Sequence, residues 1–183
     1  QPDFIFHLAA QALVKKSYIN PYQTWSSNFN GTLNILEWAR HNDIQVIYAG
    51  SSSKHHGVTG RPYAWVKWSG EELCKLYSDV YDVPTSICRF YNVYGPHQLI
   101  DGPYCTVVGI FMEQFKKGQP LTITGDGTQR RDFTHVEDIV DGLYQCHKAM
   151  HGAVDMRYAG AEWEFGRGVN HSINELASYF GCD

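Results

Sequence analysis

The sequence predicts an α/β protein: the second half of a doubly wound, Rossmann-like parallel sheet, followed by a smaller irregular α+β substrate lobe. Short apolar runs at 3–10 (DFIFHLAA), 45–50 (QVIYAG) and 85–90 (TSICRF) suit strands buried on both faces. Segments with helical apolar spacing separate them, and strand–helix–strand alternation marks a parallel unit. After Asn92 the chain becomes turn-rich. The expected division is 1–92 for the partial sheet domain and 93–183 for the lobe, the latter with room for elements that return to the sheet.

Between the first two strands, Phe29, Leu33, Leu36 and Ala39 recur at helical spacing, with Ser26, Ser27 or Asn28 as caps. PYAWVKWSGEELCKLYSDVYD then reads as a long helix stopped before Pro84. In the lobe, CTVVGIFMEQFKKG reads as a helix closed by Gly118, and PLTITGDGTQRRDFTHV as two strands around a Gly-Asp-Gly turn. VEDIVDGLYQCHKAM is a further amphipathic helix. SINELASYFG is a last one, with Ser172 as cap and Glu175 three residues on, the pattern of a capping box.

Composition narrows the function. The chain has 183 residues, 43% of them hydrophobic, enough for a substantial core. Its formal charge of −4 comes from mixed acids and bases, and the basic clusters are no larger than pairs, which argues against a nucleic-acid partner. Five dispersed cysteines without a Cys-x-x-Cys pair indicate neither a disulfide framework nor a zinc ribbon, and a reducing cytoplasm is the expected setting. On that reading the Asn-x-Ser/Thr matches at Asn30 and Asn170 are chance. No apolar run approaches the roughly 20 residues of a membrane span. His55 and His56 are adjacent, but without nearby Cys or carboxylate ligands at suitable spacing no metal site is expected.

The stretch GSSSKHHGVTGRPYAWVK at 50–67 carries the chemistry. Tyr63 and Lys67, at i and i+4, lie on one helix face. A phenol used as a base near neutrality needs its pKa lowered by roughly 3 units, about 4 kcal/mol. An ammonium about 4 Å away at an effective dielectric near 20 supplies about that much. One of Ser51, Ser52 and Ser53, at the end of the preceding strand, would share the substrate proton. Open sheets bind ligands beyond the carboxyl ends of their strands, which is where this group falls.

PDFIFHLAAQ, NFNGTLNILEWAR, SSS after a strand, PYAWVK, RFYNVYGP, GDGTQRRDFTHVEDIVDG and FGRGVNHSINELA occur in that order over nearly the whole chain. Together they resemble the extended short-chain dehydrogenase/reductases of the NAD-dependent nucleotide-sugar epimerase/dehydratase family, the group that includes UDP-glucose 4-epimerases. The resemblance implies Tyr63 as catalytic base, Lys67 holding the nicotinamide ribose, and Ser52 as hydroxyl partner, because the family hydroxyl usually precedes a glycine, here Gly57, by five positions. Ser53 is the competing choice. It also implies that Leu8, Ala9, Ala10 and Gln11 border the cofactor, with Asn28 near its ribose and Tyr91 beside the nicotinamide. Asn92 and Arg131 would bind the substrate diphosphate, a task suited to a guanidinium fork. A homodimer through the helices at about 28–41 and 63–81 is implied as well, with Trp38, Leu73 and Tyr77 as contacts.

Family dehydratases usually carry an Asp-Glu pair after the hydroxyl and related decarboxylases a glutamate two positions on. Here Ser53 and Lys54 follow Ser52. The implied reaction is thus a 4-epimerisation of a UDP-sugar through a transient 4-keto sugar; the alternatives are a 4,6-dehydratase or reductase, or a non-catalytic remnant. Two departures stand out. No Gly-x-x-Gly-x-x-Gly element precedes the first strand, so the chain reads as truncated, its first strand as an open apolar edge, and the acidic residue that selects NAD over NADP as outside it. Ser52 and Tyr63 are 63 − 52 = 11 positions apart, about half the family spacing. The ten residues between them can still span about 33 Å, so the shortening predicts a more open sugar pocket rather than an unreachable one.

Overall fold

β-branched and aromatic residues build β2 (Gln45–Ser51) at the centre of the sheet, where five of its seven residues are buried. The computed structural model describes residues 2–152 and 160–181. β2 pairs in parallel with β1 (Phe4–His7) on one side and β3 (Thr85–Phe90) on the other. The registers Phe6↔Ile47 and Ile47↔Ser86 align the three strand ends. β1 is an edge strand of the four-stranded sheet, whose order is β1-β2-β3-β7. Phe4 on that edge stacks on His147 at 3.8 Å between ring centroids.

Three helical segments precede β2: α1 (Val14–Ile19), α2 (Pro21–Trp25) and α3 (Gly31–Arg40), with a π-turn over Ser26–Asn30 between the last two. The predicted helix therefore starts earlier and is less regular than its spacing suggests. Asn20 caps α2 by accepting the Gln23 N–H at 3.1 Å, and Pro21 suits the first turn. α4 (Pro62–Tyr81) ends on Asp82 in the left-handed region at φ 55°, two residues before Pro84. α3 and α4 enclose a core of Leu36, Ala39, Val46, Tyr48, Cys74 and Ile87. Tyr48 crosses α4 at Gly70, where a Cβ would meet the phenol ring.

Of the three residues expected on an outer contact face, Trp38 is 41% exposed. Tyr77 is buried as part of the core, with its hydroxyl donating to Glu37 Oε1 at 2.5 Å, and Leu73 packs against the same core. The exposed apolar side chains of α4 are instead Leu76, Val80 and Tyr81.

The chain divides into two compact units, Gln1–Phe90 with Val140–Phe165, and Tyr91–Ile139 with Gly166–Asp183. The division falls within α6 (Val136–Gly152). The fourth strand of the sheet, β7 (Ala161–Phe165), comes from the later part of the chain and pairs in parallel with β3.

In the second unit, β4 (Val93–Tyr94) pairs with β6 (Thr134–His135), and β5 (Arg130–Asp132) pairs antiparallel with β8 (Asn170–Ser172). The expected hairpin around Gly125-Asp126-Gly127 does not form. Asp126 Oδ1 instead accepts the Thr128 N–H at 3.0 Å, a local turn, and the Thr122 N–H is taken by Gln114 of α5 (Val107–Lys116). α7 (Ile173–Ser178) carries the complete capping box predicted for Ser172 and Glu175.

Candidate active site

Ser51 is the last residue of β2, and the chain then tightens into a 3₁₀ turn over Ser52–His56 before Gly57 at φ 84°. Tyr63 lies in the first turn of α4, near enough to the end of β2 for the Ser51 hydroxyl to act on its phenol. Ser51 Oγ also lies 2.8 Å from Ser53 Oγ and accepts the Ser53 N–H at 3.3 Å. Ser52, favoured by its spacing to Gly57, opens the 3₁₀ turn instead of ending the strand. Burial pushes the Tyr63 phenol above its ordinary pKa, and the Ser51 hydrogen bond acts the other way.

Lys67 is only 4% exposed, one turn along the same face of α4, and its ammonium sits 4.2 Å from the centroid of the Tyr48 ring. Burial lowers its pKa to about 8, with Glu71 and Cys74 pulling upward. Its charge in turn lowers His7, whose pKa falls to about 4 mainly through burial. His7 is a satisfied core residue, 3.0 Å from Thr32 Oγ1. A lysine whose folded pKa is depressed from 10.5 to about 8 costs stability wherever both states are protonated. Between about pH 8 and 10.5 the folded form has lost the proton and the unfolded form keeps it, so stability rises across that window. The unfolding free energy of the wild type should therefore gain up to about 3 kcal/mol on a Lys67→Met variant over that range. Urea titrations of both proteins from pH 7 to 10.5 check this, and a constant difference would refute it.

Beyond β1, Leu8, Ala9 and Ala10 are exposed. Asn28, in the π-turn, is buried and clamps the next residue: its Oδ1 accepts the Gln11 N–H at 2.7 Å and its Nδ2 donates to the Gln11 carbonyl at 3.1 Å. This two-sided grip fixes the backbone leaving the strand. Gln11 Oε1 is left buried without a hydrogen-bond partner, an acceptor open to a donor from a bound group.

Beneath Ser51 lies a buried ion pair. Glu71, one turn beyond Lys67, is 0% exposed, and Arg89 of β3 is 2% exposed. Arg89 Nε lies 3.1 and 3.0 Å from the two Glu71 oxygens, and Nη2 lies 2.6 Å from Oε2. Arg89 also reaches Glu162 and, at 2.7 Å, Glu164 on β7. The short loop is tied to the same strand, Lys54 to Glu162 at 3.3 Å and His55 to Glu164 at 3.0 Å.

The second unit holds Tyr91, Asn92 and Arg131. Asn92 adopts φ 30° and donates from Nδ2 to the Asp132 carbonyl at 2.8 Å. Arg131 is exposed and donates to the Arg130 carbonyl at 2.7 Å. Its neighbour Asp132 turns inward, accepting the Arg167 N–H at 3.0 Å and the Gly168 N–H at 2.8 Å. Tyr91 packs beside Gly166, where a Cβ would come within 3.0 Å of its ring. A cavity of about 460 Å³ in this unit is lined by Tyr94, Val108, Phe133, Arg167 and His171 among others. Arg167 and His171 lie within the FGRGVNHSINELA segment that carries the resemblance, although sequence reasoning gave neither a role.

Ser51, Tyr63 and Lys67 lie at the carboxyl end of β2 and the start of α4, where open parallel sheets bind ligands. The model of the NAD dependent epimerase/dehydratase family matches residues 1–156, and the chain belongs to that family. It is 35% identical over 154 residues to the uncharacterized UDP-glucose epimerase YtcB of Bacillus subtilis, covering 77% of this chain and 48% of that protein. Among solved structures, epimerase Mth375 of Methanothermobacter thermautotrophicus superposes with a TM-score of 0.86 at 32% identity, covering 99% of this chain and 56% of the other. The UDP-N-acetylglucosamine 4-epimerase of Methanobrevibacter ruminantium, in complex with UDP-N-acetylmuramic acid, gives 0.84 at 27%, covering 96% and 58%. The chain spans about half the length of the relatives it matches.

Proposed function

We propose that this chain supplies the catalytic group and substrate lobe of an NAD-dependent nucleotide-sugar 4-epimerase acting on a UDP-sugar. The observation that carries the reading is the convergence of Ser51, the last residue of β2, with Tyr63 in the first turn of α4 and Lys67 one turn along the same helix face. Tyr63 takes the proton from the sugar 4-hydroxyl and returns it, and Ser51, in place of Ser52, holds the same oxygen. Lys67 orients the nicotinamide ribose. NAD, when bound, accepts the hydride and gives it back. The open acceptor on Gln11, the exposed Leu8–Ala10 segment and the Asn28 clamp support a cofactor edge at the end of β1.

Asn92 and Arg131 bind the diphosphate in this reading, and Tyr91 borders the nicotinamide. The residues after Ser51 are Ser52, Ser53 and Lys54, so the acid and base needed to expel water are missing there, which favours epimerisation over dehydration. The short loop held to β7 supports a more open sugar pocket. A homodimer through α3 and α4 fits the exposed Trp38, Leu76 and Tyr81, and a cytoplasmic setting fits the free thiols of Cys74, Cys88, Cys105 and Cys146.

The direct test incubates the protein that carries this chain with NAD and UDP-glucose, UDP-glucuronate or UDP-N-acetylglucosamine in turn. Interconversion of one of them with its 4-epimer is expected. A 4-keto-6-deoxy sugar as product, or no conversion of any of them, would sink the reading.

A further inference from the structure

Tyr63, Lys67 and Glu71 succeed one another at four-residue steps on α4, so they share one face. The first two belong to the chemistry proposed above, on which this inference rests; the third has no part in it. Glu71 Oε1 accepts the Ser51 N–H at 3.1 Å, at the point where β2 ends. Arg89, on the neighbouring strand, holds both carboxylate oxygens and is itself held from the other side by Glu162 and Glu164. Lys54 Nζ stands 3.6 Å from Oε2. The arrangement needs a bare backbone at Gly50, where a Cβ would lie 2.7 Å from Glu71 Oε1 and 2.8 Å from Arg89 Cγ.

We propose that Glu71, oriented by Arg89, is a positioning residue that fixes the end of β2 and with it the place of the Ser51 hydroxyl relative to Tyr63. A buried ion pair gains little net stability, because desolvation offsets the attraction. A carboxylate locked between a guanidinium and a backbone N–H does restrict where that N–H can go. Val46 donates its N–H to Pro84 on the β3 side, so by the two-residue alternation the Ser51 N–H faces β1, which ends at His7, opposite Tyr48, and offers no strand partner there.

The test replaces both partners, Glu71→Met with Arg89→Met, which removes the amide acceptor together with its guanidinium partner and leaves Glu162 and Glu164 their contacts with Lys54, Lys75 and His55. Exchange of the Ser51 amide is followed by NMR in the unliganded protein, and kcat and KM are measured with the UDP-sugar. The double variant should stay folded, exchange the Ser51 amide about tenfold faster or more, and lose about tenfold in kcat with KM within about threefold. Glu71→Gln, which still offers an oxygen to that amide, should bring exchange back to within about threefold of wild type. Unchanged exchange in the double variant, or Gln falling as far as the double, would overturn the assignment. If the double variant does not fold, Gly50→Ala takes its place with the same expected outcomes, since its Cβ displaces Glu71. Exchange is read without substrate, so a wild-type protein inactive on UDP-sugars would refute the epimerase reading while leaving the positioning of Ser51 to be judged on its own.

Discussion

Tyr63→Phe is expected to lower turnover by about 10²–10⁴-fold, the range of a lost general acid–base group. Phe keeps the ring and its packing and removes the one oxygen that can carry the sugar proton. KM should stay within about threefold, because the phenol acts where the proton moves and adds little to ground-state binding. In the unliganded protein burial holds this phenol above its ordinary pKa and the Ser51 hydrogen bond opposes the shift. Loss of that bond in Ser51→Ala raises the phenol further, so the ascending limb of the kcat–pH profile should move to higher pH. Steady-state assays of both variants check the pair of expectations. A Tyr63→Phe enzyme within tenfold of wild type would mean that Tyr63 only packs the start of α4.

Arg89→Ala should destabilise the four-stranded unit by about 3–5 kcal/mol, the cost of stranding a buried charge. Glu71 is 0% exposed and would keep the Ser51 N–H, Lys54 at 3.6 Å and the charge of Lys67 one turn away, without the guanidinium that holds both its oxygens. Urea unfolding reads this as a lower midpoint with an unchanged slope. The sign of the coupling is the sharper check. Removing Glu71 as well should restore stability, since the desolvation penalty leaves with the charge, and a double variant less stable than Arg89→Ala would refute the account. The same cluster reaches the surface through Glu162 and Glu164, whose ties to Lys54 and His55 hold down the short loop.

Where local chemistry is decisive, the sequence was legible. The strands at 45–51 and 85–90 are apolar runs bounded by turns, and α7 announces itself through Ser172 and Glu175. β7 was readable in principle, since Glu162 and Glu164 alternate with Trp163 and Phe165 at a period of two. Five residues of half-polar sequence are a weak signal, however, and their partner strand lies about 75 residues upstream. The Gly-Asp-Gly hairpin failed for the opposite reason: strong turn residues were present, but side chains at Gln114 and Asp126 took the backbone groups a hairpin would have paired.

By itself the sequence determined the family, the parallel α/β class and the placing of Tyr63 and Lys67 one turn apart on a helix, because motif order and helical spacing are properties of the chain read in one dimension. Only the tertiary structure decided that Ser51 ends β2 while Ser52 and Ser53 enter the 3₁₀ turn. Ser51, Ser52 and Ser53 are chemically identical, and the choice depends on where β2 gives way to the 3₁₀ turn. It alone disclosed the Glu71–Arg89 pair under that strand end, because the two residues are 18 positions apart on different elements. A buried contact of that kind leaves no periodic mark in the sequence and exists only when β3 and α4 pack against one another.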